Sequence, residues 1–181
     1  MPRRTFIVSI VLLISVLLSF ERQPNLGRGQ SLLLASYVDA NNEIAISLRL
    51  THNLDSSFSL EATFSPPPGY HLYSKDLPLN GVNGQGRPTL LELPTYSRMR
   101  SIGPLKESEA SDMVGYEPDG PLVYPEGPVT LTLPIRLPQE SGWVNDQVSL
   151  TYTASTITSC KNPTIGKLIP VSVPGAFAFS P

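Results

Sequence analysis

The sequence predicts an all-β fold, a two-sheet antiparallel sandwich, and three observations carry that expectation. Nineteen prolines and thirteen glycines stand against 15% charged residues in a chain of 181. Proline breaks helix interiors but is tolerated at strand edges and turns, so this composition suits short strands joined by ordered loops. Apolar side chains recur at every second position in several segments, the period of a half-buried strand. Turn-forming Asn, Gly, Pro and Ser residues separate those segments. The length suits one ordinary domain plus a targeting segment and is short for two cores.

The elements follow in chain order. Met1-Pro-Arg-Arg4 is positively charged and Phe6 to Phe20 is an almost unbroken apolar run. Its length fits a signal-peptide core better than a membrane span, which needs about 20 apolar residues. Ser19-Phe20-Glu21-Arg22 makes a poor cleavage site, so a cleaved signal peptide and an uncleaved anchor helix both stay open. Either way the remainder is expected in an extracytoplasmic space, periplasmic or secreted, where thiols tend to oxidise. Residues 1–30 are thus assigned to the targeting segment and linker, and residues 31–181 to the sandwich.

Within that domain Ser31 to Val38 is a first apolar strand. Glu43 to Leu50 alternates through Ile44, Ile46, Leu48 and Leu50, and Ser57 to Phe64 through Phe58, Leu60, Ala62 and Phe64. Asn41-Asn42 and Asn53 to Ser56 supply the turns between them. Lys75 to Asp119 reads as loop-rich, with one strand at Thr89 to Leu93, a flexible glycine-bearing loop at Asn80 to Gly86, and a helical turn at Lys106 to Met113. Strands resume at Val129 to Leu137, Gln147 to Ala154 and Lys167 to Val173, with Pro134 marking an edge or bulge. Six to eight short strands of this kind favour an immunoglobulin-like arrangement.

Charge and clustering exclude several chemistries. Formal net charge is -2 for the whole chain. Arg3, Arg4, Arg22, Arg28 and Glu21 lie in the first thirty residues, which leaves 9 basic and 14 acidic side chains downstream, a net of -5. No basic stripe remains for nucleic acid. His52 and His71, with a single cysteine and no carboxylate at ligand spacing, make no convincing metal site. No serine lies in a nucleophile-elbow context, and no strand-to-helix unit surrounds Asn80 to Gly86 to make it a phosphate cradle. No cofactor is expected. Glu107, Glu109 and Asp112 read as a solvated acidic loop.

Three segments in fixed order carry a resemblance. They are Pro68-Gly69-Tyr70-His71-Leu72-Tyr73, then Gly115-Tyr116-Glu117-Pro118-Asp119-Gly120-Pro121-Leu122 leading into Val129 to Pro134, and finally Tyr152-Thr-Ala-Ser-Thr-Ile-Thr-Ser-Cys-Lys-Asn-Pro163. Together they resemble the N-terminal periplasmic domain of the thiol:disulfide interchange protein DsbD and its stand-alone relatives, over roughly Ser31 to Pro174. That family's closing hairpin has the form Y-x-A-C-x4-C-x-x-P. Tyr152, Ala154, Cys160 and Pro163 match it, and Ser155 stands where the first cysteine would be. The resemblance implies an immunoglobulin-like sandwich carrying its redox pair on a hairpin under a cap loop, passing electrons from a membrane partner to oxidised envelope proteins.

The departure at Ser155 bears directly on that activity. A dithiol needs two sulfurs to close an internal disulfide and release a bound partner. A serine hydroxyl is not a redox group and is no appreciable nucleophile without a base. The expected function is therefore that of a degenerate exchange domain in which Cys160 acts at most alone, through mixed disulfides. Its partners would be envelope or secreted proteins, a thioredoxin-like thiol protein among them. The alternative is a non-catalytic envelope binding or scaffolding sandwich whose loops hold a ligand. For Cys160 itself the expected state is a small, buried, apolar side chain. Lys161 could favour a thiolate, although adjacent strand residues usually face opposite ways. Tyr70 and Tyr73 are expected on one face of a strand, with His71 on the other, either lining the site with Tyr152 and Pro163 or joining an aromatic cluster with Trp143 or Phe64.

Overall fold

The computed structural model describes residues 26–113 and 121–179; the apolar run at Phe6 to Phe20 and the Gly115 to Gly120 part of the middle motif lie outside them. Thirteen strands are described: β1 Gln30–Asp39, β2 Ile44–His52, β3 Phe58–Ser65, β4 His71–Leu72, β5 Leu90–Glu92, β6 Arg100–Ser101, β7 Lys106–Glu107, β8 Asp112–Met113, β9 Leu122–Val123, β10 Val129–Arg136, β11 Trp143–Tyr152, β12 Ala154–Ser155 and β13 Thr164–Pro174. A 3-10 helix, Ala176–Phe179, follows. All strand pairings are antiparallel.

The larger sheet runs β1-β2-β3-β10-β6, with β7 also on β10, and the second runs β13-β11-β5. The period-two pattern explains why they pack face to face. Ile44, Ile46, Leu48 and Leu50 of β2 are buried, as are Leu60, Ala62 and Phe64 of β3 and Val129, Leu131, Leu133 and Ile135 of β10. They meet Val144, Val148 and Leu150 of β11 and Ile169, Val171 and Val173 of β13 in one core. Each such Val, Leu, Ile or Phe side chain contributes about 1.5–3 kcal/mol by leaving water. Leu26 joins this core, so the ordered packing begins a few residues ahead of Ser31.

Pro134 lies within β10 opposite Ser59 of β3. Its carbonyl accepts from the Ile102 N–H at 3.0 Å. Since N–H and C=O of one antiparallel residue face the same way, its missing N–H falls on the side of the short strands β6 and β7. The ladder to β3 is unharmed there.

Two local expectations are corrected. Lys106 to Met113 forms no helical turn: Lys106 and Glu107 pair with Thr132 and Leu131 of β10, and Asp112 and Met113 pair with β9. Tertiary strand pairing overrides a weak local preference. Asn80 to Gly86 is a tight hairpin rather than a flexible loop, with reciprocal Val82–Gln85 hydrogen bonds of 3.0 and 2.9 Å. Asn83 and Gly84 occupy its centre with φ of 51° and 81°, the Asn-Gly pairing that a type I′ turn favours.

Candidate functional site

The candidate site begins where β11 leaves its sheet. A register shift between Leu150 and Tyr152 ends the regular ladder. The chain crosses Thr153 and pairs again as β12, now with β4. The shift sets Ile165 and Gly166 of β13 opposite Thr151 alone, a bulge on the returning strand that bends the ribbon at this point. The chain turns through Thr156 to Ser159 and returns at Cys160. Thr156 Oγ1 holds the turn by accepting from the N–H groups of Thr158 at 3.3 Å and Ser159 at 3.0 Å.

Ser155 has a partner on each side, His71 in β4 and Cys160 on the returning leg. Hydrogen bonds from Thr156 N–H to the Ser159 carbonyl (2.7 Å) and from Lys161 N–H to the Ala154 carbonyl (2.8 Å) flank the Ser155–Cys160 pair. It is therefore a non-hydrogen-bonded pair, the closer kind, with Cα atoms about 4.5 Å apart and side chains on one face. His71, Ser155 and Cys160 form a row across this small sheet. Tyr73, two residues beyond His71, shares their face. The expected grouping of the tyrosines is corrected here: Tyr70 lies ahead of β4, in a turn closed by its N–H to the Pro67 carbonyl at 3.1 Å, and packs against the main core, whereas Tyr73 stands beside Cys160.

This face opens into a cavity of about 290 Å³ lined by His71, Tyr73, Gln85, Pro121, Val123, Ser155, Thr156, Ile157 and Cys160. Cys160 is exposed, not buried as packing alone suggested. It sits at the end of a two-residue turn whose tip, Ile157, is 90% exposed, so the hairpin has no core of its own to receive the sulfur. The Tyr73 hydroxyl lies 3.6 Å from Cys160 Sγ. Burial, first of all, raises the Tyr73 pKa; the bond and charge of Cys160 add to this and a hydrogen bond with Ser155 opposes it. The phenol thus stays protonated at neutral pH and can donate to a sulfur anion.

Tyr73 is held by backbone from the Asn80 to Gly86 hairpin. A Cβ at Gly86, where φ is 74°, would lie 2.8 Å from the Tyr73 ring. Arg87 Nη1 fastens the hairpin, donating to the Asn80 carbonyl at 3.1 Å and the Gly84 carbonyl at 3.2 Å, and also to that of Gly86. Gln85 and this cover were missed in the sequence, although Asn83-Gly84 is a strong short-range hairpin signal. His71 Nδ1 lies 3.1 Å from the Tyr124 carbonyl, so that nitrogen carries the hydrogen and Nε2 is left free of the bond.

Of the four proposed lining residues only Tyr73 reaches the cavity. Tyr152 is buried against Phe64, with ring centroids 5.5 Å apart. Its hydroxyl donates to Asp39 at 2.6 Å. Tyr70 takes Lys161 Nζ over its ring at 4.9 Å, and Pro163 is exposed on the returning leg, off the cavity wall. Trp143 joins neither tyrosine; it is 43% exposed at the start of β11. Lys161 does not serve the sulfur, because its ammonium binds Glu43 Oε2 at 2.6 Å. Among the described residues no group of three or more His, Cys, Asp or Glu could hold a metal ion.

The chain matches no protein-family model and no curated protein. Among solved structures it is similar to the N-terminal domain of DsbD from Neisseria meningitidis, crystallised in the reduced form, with 10% identity and a TM-score of 0.42 over 79% of this chain and 85% of that one.

Proposed function

We propose that this domain is a single-thiol disulfide-exchange module of the extracytoplasmic space, in which Cys160 is the exchanging group. The observation that supports it is an exposed sulfur facing a formed cavity, with the Tyr73 hydroxyl 3.6 Å away. In the step envisaged, the Cys160 thiolate attacks one sulfur of a disulfide in an exported protein. A new S–S bond joins Cys160 to the partner, the partner's own S–S bond breaks, and the leaving thiolate takes a proton. Electrons balance without an added oxidant, since one disulfide replaces another. Ser155 cannot complete a second, internal attack, so an outside thiol must resolve the mixed disulfide. A thioredoxin-like protein with a free thiol supplies the required chemistry. Phe6 to Phe20, read as a targeting segment, would deliver the domain to a compartment where such disulfides persist.

The test is alkylation of the native protein with a thiol reagent, followed by the same reaction in denaturant. Fast native modification, together with trapped mixed disulfides to exported proteins, supports the exchange reading. Modification only after unfolding would sink it and leave the binding or scaffolding sandwich.

A further inference from the structure

The turn between β1 and β2, far from Cys160 in sequence, touches the site hairpin on both of its legs. Asp39 is buried at the end of β1. Its Oδ2 accepts from Tyr152 Oη at 2.6 Å on the outgoing leg and from Thr164 Oγ1 at 3.2 Å on the returning leg. Tyr152 and Thr164 are themselves cross-strand partners, the last rung before the hairpin projects. Asn42 Nδ2 donates to both Asp39 Oδ2 (3.0 Å) and Thr164 Oγ1 (3.1 Å), joining the turn to the same rung. Higher up, Glu43 Oε2 binds Nζ of Lys161, the residue directly after Cys160.

Glu43 adds a second, independent observation. It has φ of 56°, a left-handed conformation that glycine takes freely and a glutamate adopts only at a cost in strain. Its N–H is tied to the Asp39 carbonyl at 2.6 Å. The strained residue is thus the one whose carboxylate meets the returning leg.

We propose that the Asp39–Glu43 turn is a positioning device for the Cys160 hairpin, with Asp39 fixing its base and Glu43 its returning leg, so that the sulfur is presented at a set height beside Tyr73. The role rests on the exchange reading of Cys160, and Asp39 and Glu43 are positioning residues that touch no reacting atom. The hairpin needs such a device because it has left the main ladder after the bulge and ends in an exposed tip. Tyr152 and Ala154 anchor the outgoing leg in the core; on the exposed returning leg, directional bonds from a neighbouring turn do the holding.

The test uses S155C in the full chain, where the pair formed with Cys160 reports how well the hairpin is held. The equilibrium constant of its internal disulfide is measured against reduced and oxidised glutathione, alone and with D39N or E43Q added. Loss of the bracket is expected to lower that constant about tenfold with D39N and two- to threefold with E43Q, from hydrogen bonds to a charged group at a buried and an exposed site respectively. Thermal melts run alongside. Unchanged constants in both variants, even with lower melting temperatures, would overturn the proposal, because sandwich stability alone would then explain the contacts. Should D39N fail to fold, E43Q, on the surface, decides by itself. The disulfide constant does not depend on whether the natural protein exchanges with partners, so a failed alkylation test and a failed bracket give separable results.

Discussion

The β2–β3 pair and the hairpin from Tyr152 to Thr164 are both antiparallel ribbons, yet they are held by different forces. β2 and β3 pair without interruption from Ala45–Ser65 to His52–Phe58, and Ile46, Leu48, Leu50, Leu60, Ala62 and Phe64 point into the core. Close-packed burial along the whole length is added there to an unbroken ladder. The hairpin buries Tyr152 and Ala154 only at its base, exposes Ile157 and Cys160 beyond it, and is tied through Asp39, Asn42, Glu43 and Lys161. Hydrogen bonds and an ion pair fix direction as well as distance, which is what presenting one sulfur requires.

That contrast can be broken at either end. The largest effect is expected in the core: Leu60→Ala should cost about 3 kcal/mol by chemical denaturation. In the still-folded protein the alkylation rate of Cys160 should be unchanged; a large change in that rate would show that the two regions are not separable. Ser155→Cys comes next. A non-hydrogen-bonded pair at about 4.5 Å falls at the short end of the Cα range for disulfides. Closing so short a loop should stabilise the domain by about 2 kcal/mol. Mass spectrometry after mild oxidation should find no free thiol, and two free thiols would contradict the pairing of residues 155 and 160.

Gly86→Ala should cost about 1–2 kcal/mol, since it combines a left-handed φ with a Cβ pressed on the Tyr73 ring. It should also speed alkylation of Cys160 by displacing that ring, and an unaltered rate would mean that Tyr73 does not govern access. The smallest effect is in acid. Burial pushes the Asp39 carboxyl up, but hydrogen bonds from Tyr152, Asn42, the Asn41 N–H and Thr164 together bring it below its ordinary value. A folded pKa lower than the unfolded one means that the stabilisation is complete above the ordinary carboxylate range. It is lost as pH falls from there through the folded value. Denaturation curves across that window should show a slope in the natural protein that D39N reduces, with Glu43 and Asp55, also held below their ordinary values by hydrogen bonds from Lys161 and Ser57, supplying the rest; equal slopes would assign the acid sensitivity elsewhere.

The long strands were legible because each buries one face, so period two is written directly into residues such as Ile44, Ile46, Leu48 and Leu50. The two-residue strands β6, β7 and β8 were not, since so few residues carry no period and exist only where a partner supplies the other side of the ladder. The spacing of Ser155 and Cys160 was legible as a motif. That Tyr73 shares a face with His71 was recoverable from parity, and the Asn83-Gly84 hairpin, though not what it covers, from its turn chemistry.

By itself the chain determined the β architecture, the four-residue interval between Ser155 and Cys160, and the presence of only one cysteine, all of which are local or compositional. Tertiary structure alone decided that this sulfur is exposed, that Tyr73 rather than Tyr152 stands beside it, and that Asp39 and Glu43 reach the hairpin from more than a hundred residues away. Exposure and long-range contact are properties of how sheets stack and where strands leave them. No local pattern encodes them, because the residues that meet are separated by most of the chain.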